Sequence, residues 1–208
     1  MTREEFLCDY WAYYLMLERK FMHTLDYVSL HTDNESAYSN EYAALIQMIG
    51  SEIDSFFKVY CGFGASDIKS ITEYCCSVTT DYPGILTQKV SVRAAKMTFK
   101  PFEGWDREKA RQSLFWWNAF DNIKHSRTTN KKDASQKTVL YALAALFLLE
   151  MKYLKKIATQ NNEMDIPDEK SQLFSLPGWT FNFKRSSELV IKAKHGIPII
   201  DGGDESDK

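Results

Sequence analysis

The chain is organised around one segment, Phe115-Trp116-Trp117-Asn118-Ala119-Phe120-Asp121-Asn122-Ile123-Lys124-His125-Ser126-Arg127. Within it, Trp116, Phe120 and Ile123 fall at positions i, i+4 and i+7, which is the spacing of one apolar face of an α-helix. The spacing therefore predicts a helix that packs this face into a core. Its other face is left free to carry polar side chains.

That polar face carries Asn118, Asn122 and His125 at the same helical spacing, with Asp121 beside them. A polar loop follows at residues 128–132, so His125 lies near a helix C-terminus, where the helix dipole favours a cation. An imidazole at this place can exchange protons, and the neighbouring amides and cations can hold a phosphate group. This helix end is the candidate site of any chemistry.

Composition indicates one domain with a substantial core. The chain has 208 residues, of which 44% are hydrophobic and 14% aromatic, and glycine is sparse, which favours packed helices. The charged N-terminus does not resemble a signal peptide, and the longest apolar run, at 139–149, is too short to span a bilayer. Because Cys8, Cys61, Cys75 and Cys76 form no C-x-x-C pair, we expect unpaired cysteines and a cytoplasmic location.

The net charge of −2 conceals a segregation of charge along the chain. Residues 1–85 contain 5 Lys and Arg against 13 Asp and Glu, whereas residues 86–137 contain 12 against 5. The middle segment therefore carries a net charge of +7 and includes the polar helix end. A local basic patch suits the binding of a phosphate backbone. Alternatively, this basic segment packs against the acidic N-terminal helices or is simply solvated.

Periodicity predicts a mainly α protein, a bundle of four to five helices. The motif Thr2-x-x-Glu5 is a capping box that opens the first of them. The helices are expected from about residue 3 to 30, from a cap at Ser39 or Asn40 to Gly62, from 66 to about 78, from a cap at Asp106 through the quoted stretch, and from about 136 to a polar linker at 160–170. The last of these is apolar nearly all round, so it should lie at the bundle centre or in a dimer interface.

Outside the helices, residues 86–101 show alternation of period two around Val90 and Val92, which predicts a small β-like insert with a hairpin. The chain is thus expected to divide into a helical bundle at 1–160, an irregular extension at 161–200 that packs on the bundle, and a disordered acidic tail at 201–208.

A bundle whose penultimate helix ends in a polar and cationic sequence, followed by a loop and an apolar helix, resembles the HEPN superfamily of prokaryotic helical domains. The resemblance covers about residues 3–157, and its specific part is Asn122-Ile123-Lys124-His125-Ser126-Arg127 with the preceding Trp116-Trp117. Active members are metal-independent endoribonucleases that work as dimers. The resemblance implies that His125 activates the ribose 2′-hydroxyl or protonates the leaving oxygen, so that the product carries a 2′,3′-cyclic phosphate.

On this resemblance, the catalytic candidates are His125, Arg127, Asn122 and Asn118, and the RNA-binding candidates are Lys124, Lys131, Lys132 and Arg111. No metal or cofactor is implied. The expected partners are RNA, a second copy of the chain in a homodimer, and a protein partner or antitoxin, without a membrane. The implied setting is prokaryotic defence or a toxin–antitoxin system.

The chain departs from the family pattern at two points. The strand-like insert near 86–101 is not part of a minimal HEPN bundle. Active members also carry an arginine with four to six residues between it and the histidine, and the corresponding positions 118–120 hold Asn, Ala and Phe instead. Arg111 lies too far upstream in sequence, and Arg127 would have to act from a partner chain. The alternatives are an RNA-binding protein and a non-catalytic helical protein-interaction module. An enzyme predicts His125 exposed in a cleft near Arg127 or a cation of a partner chain, with Asn118 or Asn122 facing it. An interaction module predicts a buried His125 that is hydrogen-bonded within one chain, with the basic segment neutralised by the acidic first helices.

Overall fold

Helices dominate the structure, a computed structural model that describes residues 1–93 and 95–181 together with the backbone of two strands at 191–194 and 197–200. The helices are α1 (Arg3–Phe6), α2 (Ala12–Thr24), α3 (Asn40–Cys61), α4 (Ile71–Asp81), α5 (Ala110–Ser113), α6 (Phe115–Ser126) and α7 (Gln136–Asn161). A π-helical segment, Leu7–Trp11, joins α1 to α2. Since α1 and α2 form one continuous helix and α5 is a single turn, the predicted bundle of four to five helices is confirmed.

Several helix ends lie at the residues that the capping motifs in the sequence predict. Thr2 and Glu5 form the expected capping box at the start of α1, and the Ser39 hydroxyl accepts a hydrogen bond of 3.0 Å from the backbone N–H of Tyr42 at the start of α3. The C-cap of α3 is Gly62 in the left-handed region, with φ of 72°. These predictions are confirmed. They could be made from the sequence because each cap depends on hydrogen bonds between residues close in sequence.

Two predicted helix limits were wrong. The first helix ends at Thr24 rather than near residue 30, because the next backbone N–H groups bond three residues back and close a tight turn. The third helix begins at Ile71 rather than at residue 66. Its start is set by a capping box between Ser70 and Glu73, while the Asp67 carboxylate accepts a bond of 3.0 Å from the Gly64 N–H and holds the preceding residues in a turn.

The predicted cap at Asp106 was also wrong. The Asp106 carboxylate accepts a hydrogen bond of 2.8 Å from the Glu108 N–H, and no helix starts there. Instead, α5 is one turn long and Leu114, which is extended with φ of −105° and ψ of 96°, separates it from α6. The quoted stretch is therefore a helix of its own, and the chain changes direction just before it.

The predicted hairpin is confirmed, and its sheet includes a third strand. The strands are β1 (Val90–Val92), β2 (Met97–Phe99), β3 (Phe174–Ser175), β4 (Ile191–Lys194) and β5 (Ile197–Ile200). Antiparallel pairing gives the order β2-β1-β3, with Val90 opposite Phe99 and Val92 opposite Phe174. Strands β4 and β5 form a separate antiparallel pair. The extension thus supplies β3 to a sheet that begins in the insert.

The core lies around α7, whose residues 139–149 are buried except for the half-buried Tyr141. This confirms its predicted place at the bundle centre. Leu173 and Phe174 from the extension are buried in the same core. No helix in the part of the chain described here is long and apolar enough to cross a membrane. The predicted acidic tail at 201–208 lies outside the described residues.

Candidate functional site

Helix α6 is held by its apolar face, as its spacing predicts. Trp116, Phe120 and Ile123 are buried, and the Trp116 indole N–H donates a hydrogen bond of 2.8 Å to the carbonyl of Pro101. Trp117 is also buried and lies against Phe57 of α3, with ring centroids 5.9 Å apart. These aromatic side chains belong to the core, so the groups that solvent can reach lie on the polar face of the helix.

On that face, the His125 imidazole is exposed and has a carboxylate beside it. The His125 side chain is 71% exposed, and its Nε2 lies 3.3 Å from Oδ1 of Asp121, one helical turn earlier. The other Asp121 oxygen, Oδ2, lies 2.5 Å from Nη2 of Arg111. One carboxylate therefore contacts both an imidazole and a guanidinium.

Arg111 reaches this place because of the break at Leu114. Because Leu114 is extended, α5 can fold against α6, and Arg111 contacts Asp121, which lies ten positions later in the chain. The Arg111 Nη2 also donates a hydrogen bond of 3.2 Å to the Asn122 side-chain oxygen. From its distance in sequence, Arg111 would not be expected near Asp121 and Asn122, but the fold brings the three side chains together.

The loop after α6 contacts Asn122 and the end of the helix. The Asn122 amide donates a bond of 2.8 Å to the Asp133 carboxylate. The Asn130 amide donates to the backbone carbonyls of Asn122 and Ser126, at 3.2 and 3.0 Å, and so connects the loop to the end of the helix. We refer below to the connected side chains His125, Asp121, Arg111, Asn122 and Asp133 as the His125 network.

The structure places the other predicted site residues outside this network. The Asn118 side chain is half-buried and makes no hydrogen bond to any described residue. Arg127 is the exposed C-cap of α6 and forms no ion pair within the described ranges. The Lys124 ammonium lies 5.5 Å from the centre of the Phe120 ring. Lys131 and Lys132 are exposed in the turn that leads to Asp133.

Sequence reasoning left Asp121 and Asp133 out of the predicted catalytic set. A signal was present for Asp121, because a carboxylate four residues before a histidine on a helix faces it. No local signal existed for Asp133, since its contact with Asn122 depends on how the loop folds back.

Most Lys and Arg side chains of the basic segment at 86–137 are exposed rather than covered by the acidic N-terminal helices. Among the described residues, its only ion pair with the first 85 residues joins Lys137 to Glu35, with Nζ and Oε2 2.7 Å apart. Glu35 lies in the loop between α2 and α3. The lysines at 124, 131 and 132 therefore remain available around the His125 network.

Within the residues that the structure describes, no group of three or more His, Cys, Asp or Glu side chains is arranged to hold a metal ion. No family model matches the chain, and no similar protein is found among curated proteins or solved structures.

Proposed function

We propose that this protein acts on RNA as a metal-independent endoribonuclease of the HEPN-like type, with His125 as the group that transfers protons. The observation that carries the proposal is the exposed His125 imidazole, whose Nε2 lies 3.3 Å from the Asp121 carboxylate, which is itself ion-paired with Arg111. The exposure of the imidazole favours the enzyme, because the interaction module predicts a buried His125. The cation that contacts its carboxylate partner is Arg111, where the enzyme was expected to use Arg127 or a cation of a partner chain.

In the proposed reaction, the ribose 2′-oxygen attacks the adjacent phosphorus and loses its proton. The bond from phosphorus to the 5′-oxygen breaks, and that oxygen gains a proton. The products are a 2′,3′-cyclic phosphate and a free 5′-hydroxyl. His125 takes up the first proton or supplies the second, and the neighbouring Asp121 carboxylate orients the ring.

Arg111 is the proposed cation for the phosphate, in place of the arginine that the family pattern has within the helix. Its guanidinium is 45% exposed and has five N–H donors, so contacts with Asp121 and Asn122 leave donors for phosphate oxygens. The exposed Lys124, Lys131 and Lys132 extend this positive surface along an RNA backbone.

The resemblance also suggests a homodimer, an antitoxin-type protein partner and a role in prokaryotic defence. Support for these rests on the resemblance alone. The mass of the protein in solution, measured by light scattering during gel filtration, would test the homodimer directly.

The test of the proposed function is cleavage of a structured RNA mixture in excess EDTA. We expect the wild-type chain to cut RNA and leave cyclic phosphate ends. His125→Ala should lower the rate by about 10²–10⁴-fold, the usual contribution of a positioned acid or base. Asp121→Asn should lower it by a smaller factor, and Asp121→Glu should restore part of the loss.

The matched control is His31→Ala. His31 is also exposed and also has a carboxylate beside it, with Nδ1 3.4 Å from Oδ2 of Asp33, but it lies in a loop far from α6 in sequence. Its replacement should leave cleavage unchanged. Equal cleavage by wild type and His125→Ala would show that the site is wrongly assigned, and no cleavage by wild type would count against the enzyme.

A further inference from the structure

A second group of cations lies on α7, away from the His125 network. Lys152, Lys155 and Lys156 fall at positions i, i+3 and i+4, so their side chains share one face of the helix. The His125 network adjoins the start of α7 at Gln136, and Lys152 comes 16 residues later. That separation corresponds to about 24 Å along the helix axis, so the two groups are distinct.

The three lysines line an open cleft of about 510 Å³. Tyr60 at the end of α3 and the pair Asp81 and Tyr82 at the end of α4 form its other walls. Three helix ends therefore meet around this space. A cleft of this size is large enough for a small molecule or for one unit of a polymer.

Two aromatic rings hold the Lys152 ammonium in position. The Lys152 Nζ lies 3.3 Å from the centre of the Tyr82 ring and 4.2 Å from the centre of the Trp179 ring. The Lys155 Nζ lies 4.8 Å from Trp179 and donates a hydrogen bond of 2.6 Å to the carbonyl of Thr180. Cation–π contacts of this kind hold the charges without neutralising them.

Nearby carboxylates balance these cations only in part, since two carboxylates lie near three lysines. Lys156 lies 3.7 Å from the Asp81 carboxylate, and Lys155 lies 3.9 Å from Asp165, both longer than a charge-assisted hydrogen bond. Lys152 has no ion pair with a carboxylate in the described part of the chain. Burial, together with the nearby Lys155 ammonium, lowers the pKa of Lys152 to about 8. An anion bound between the lysines would relieve this repulsion.

We propose that this cleft is a phosphate-binding site, in which Lys152, Lys155 and Lys156 hold the phosphate group of a ligand. The compact ammonium groups act as point charges toward the phosphate oxygens. Tyr82 and Trp179 act by keeping Lys152 in position. The phosphate could belong to a small phosphorylated molecule or to the backbone of an RNA strand. The inference is independent of the proposed ribonuclease activity, because it uses none of the residues of the His125 network.

The first test is titration calorimetry of the full chain with inorganic pyrophosphate at low salt. We expect Lys152→Gln to weaken binding roughly tenfold or more, since it removes a charged donor. Lys152→Arg keeps the charge and should bind within about threefold of wild type. The matched control is Lys89→Gln, which removes an exposed lysine outside the cleft. Thermal unfolding of each variant shows that loss of binding is not loss of folding.

A second readout is amine acylation at pH 8, followed by mass spectrometry. Lys152 should react faster than Lys89, and pyrophosphate should protect it. Competition with a short single-stranded RNA then separates the two sources of phosphate. Displacement of pyrophosphate by RNA assigns the cleft to an RNA backbone, and lack of displacement assigns it to a small phosphorylated molecule. Equal pyrophosphate binding by Lys152→Gln and Lys89→Gln, or no binding by wild type, would overturn the proposal.

Discussion

At the scale of single residues, Glu150 shows how strongly burial acts on one ionisable group. Its side chain is fully buried in α7, and neither carboxyl oxygen has a hydrogen-bond partner among the described residues. Burial raises the pKa of the Glu150 carboxyl well above its usual range, and the Glu52 carboxyl on α3 adds to the shift. A charged group without partners is costly in a core, so Glu150 is held as the neutral acid.

The expected consequence is a pH-dependent stability. Because the folded pKa is raised, the folded chain keeps a proton that the unfolded chain releases above a pH of about 4.3. The contribution of Glu150 to the free energy of unfolding is therefore largest below that pH. It is lost as the pH rises toward the pKa of Glu150 in the folded chain, by up to about 1.4 kcal/mol per pH unit. Glu150→Gln should become more stable relative to wild type between pH 5 and pH 7 in urea unfolding.

Glu4→Gln is the control for this measurement, because Glu4 is exposed on α1. Its stability relative to wild type should show little change over the same pH range. If Glu150→Gln also kept a constant difference from wild type, Glu150 would have an ordinary pKa and an unseen partner.

At the scale of helices, the close approach of α3 and α6 sets the position of the His125 network. A side-chain carbon added at the buried Gly50 of α3 would overlap the Phe120 ring of α6. The two helices can therefore come this close only because position 50 has no side chain. Phe57 and Trp117 make a further contact between the same helices.

Gly50→Ala tests this packing. In an exposed helix position the change would stabilise by about 1 kcal/mol. Here the overlap with Phe120 should destabilise the fold by about 1–3 kcal/mol, as overpacked cores do. Ser51→Ala, at the next and exposed position of α3, is the control and should change stability little. A stabilised Gly50→Ala variant would mean that α6 moves away freely.

At the scale of the whole molecule, Glu18 of α2 joins the C-terminal extension to the bundle. The buried Glu18 carboxylate accepts hydrogen bonds from the backbone N–H groups of Gln172 and Leu173, at 2.9 and 3.3 Å, and from the hydroxyls of Tyr14 and Ser171. These bonds precede β3 and hold it beside β1. One carboxylate thus connects residues more than 150 positions apart.

Glu18→Ala should release this connection. Four donors would lose their acceptor, and each unsatisfied buried group costs about 1–3 kcal/mol, so a loss of at least roughly 3 kcal/mol in unfolding free energy is expected. Limited trypsin digestion should cut faster at the exposed Lys170. Glu169→Ala is the control, because Glu169 is exposed and its carboxylate makes a weak surface ion pair, 3.7 Å from the Arg19 guanidinium. Equal digestion of both variants would contradict an anchoring role for Glu18.

Features that depend on neighbours along the chain could be predicted from the sequence alone. Caps at Thr2, Ser39 and Gly62 and the hairpin of β1 and β2 follow from contacts within a few residues. Helical spacing in the same way predicted the polar face of α6, with His125 on it near the C-terminal end of the helix.

Which residues meet from distant parts of the chain depends on how the helices, strands and loops pack together. Arg111 joins Asp121 because the chain breaks at Leu114, and Asp133 joins Asn122 because a loop folds back. The extension supplies β3 to a strand about 80 residues earlier. Such contacts leave no periodic signal in sequence, because their energy comes from burial and pairing that exist only once the elements have packed together.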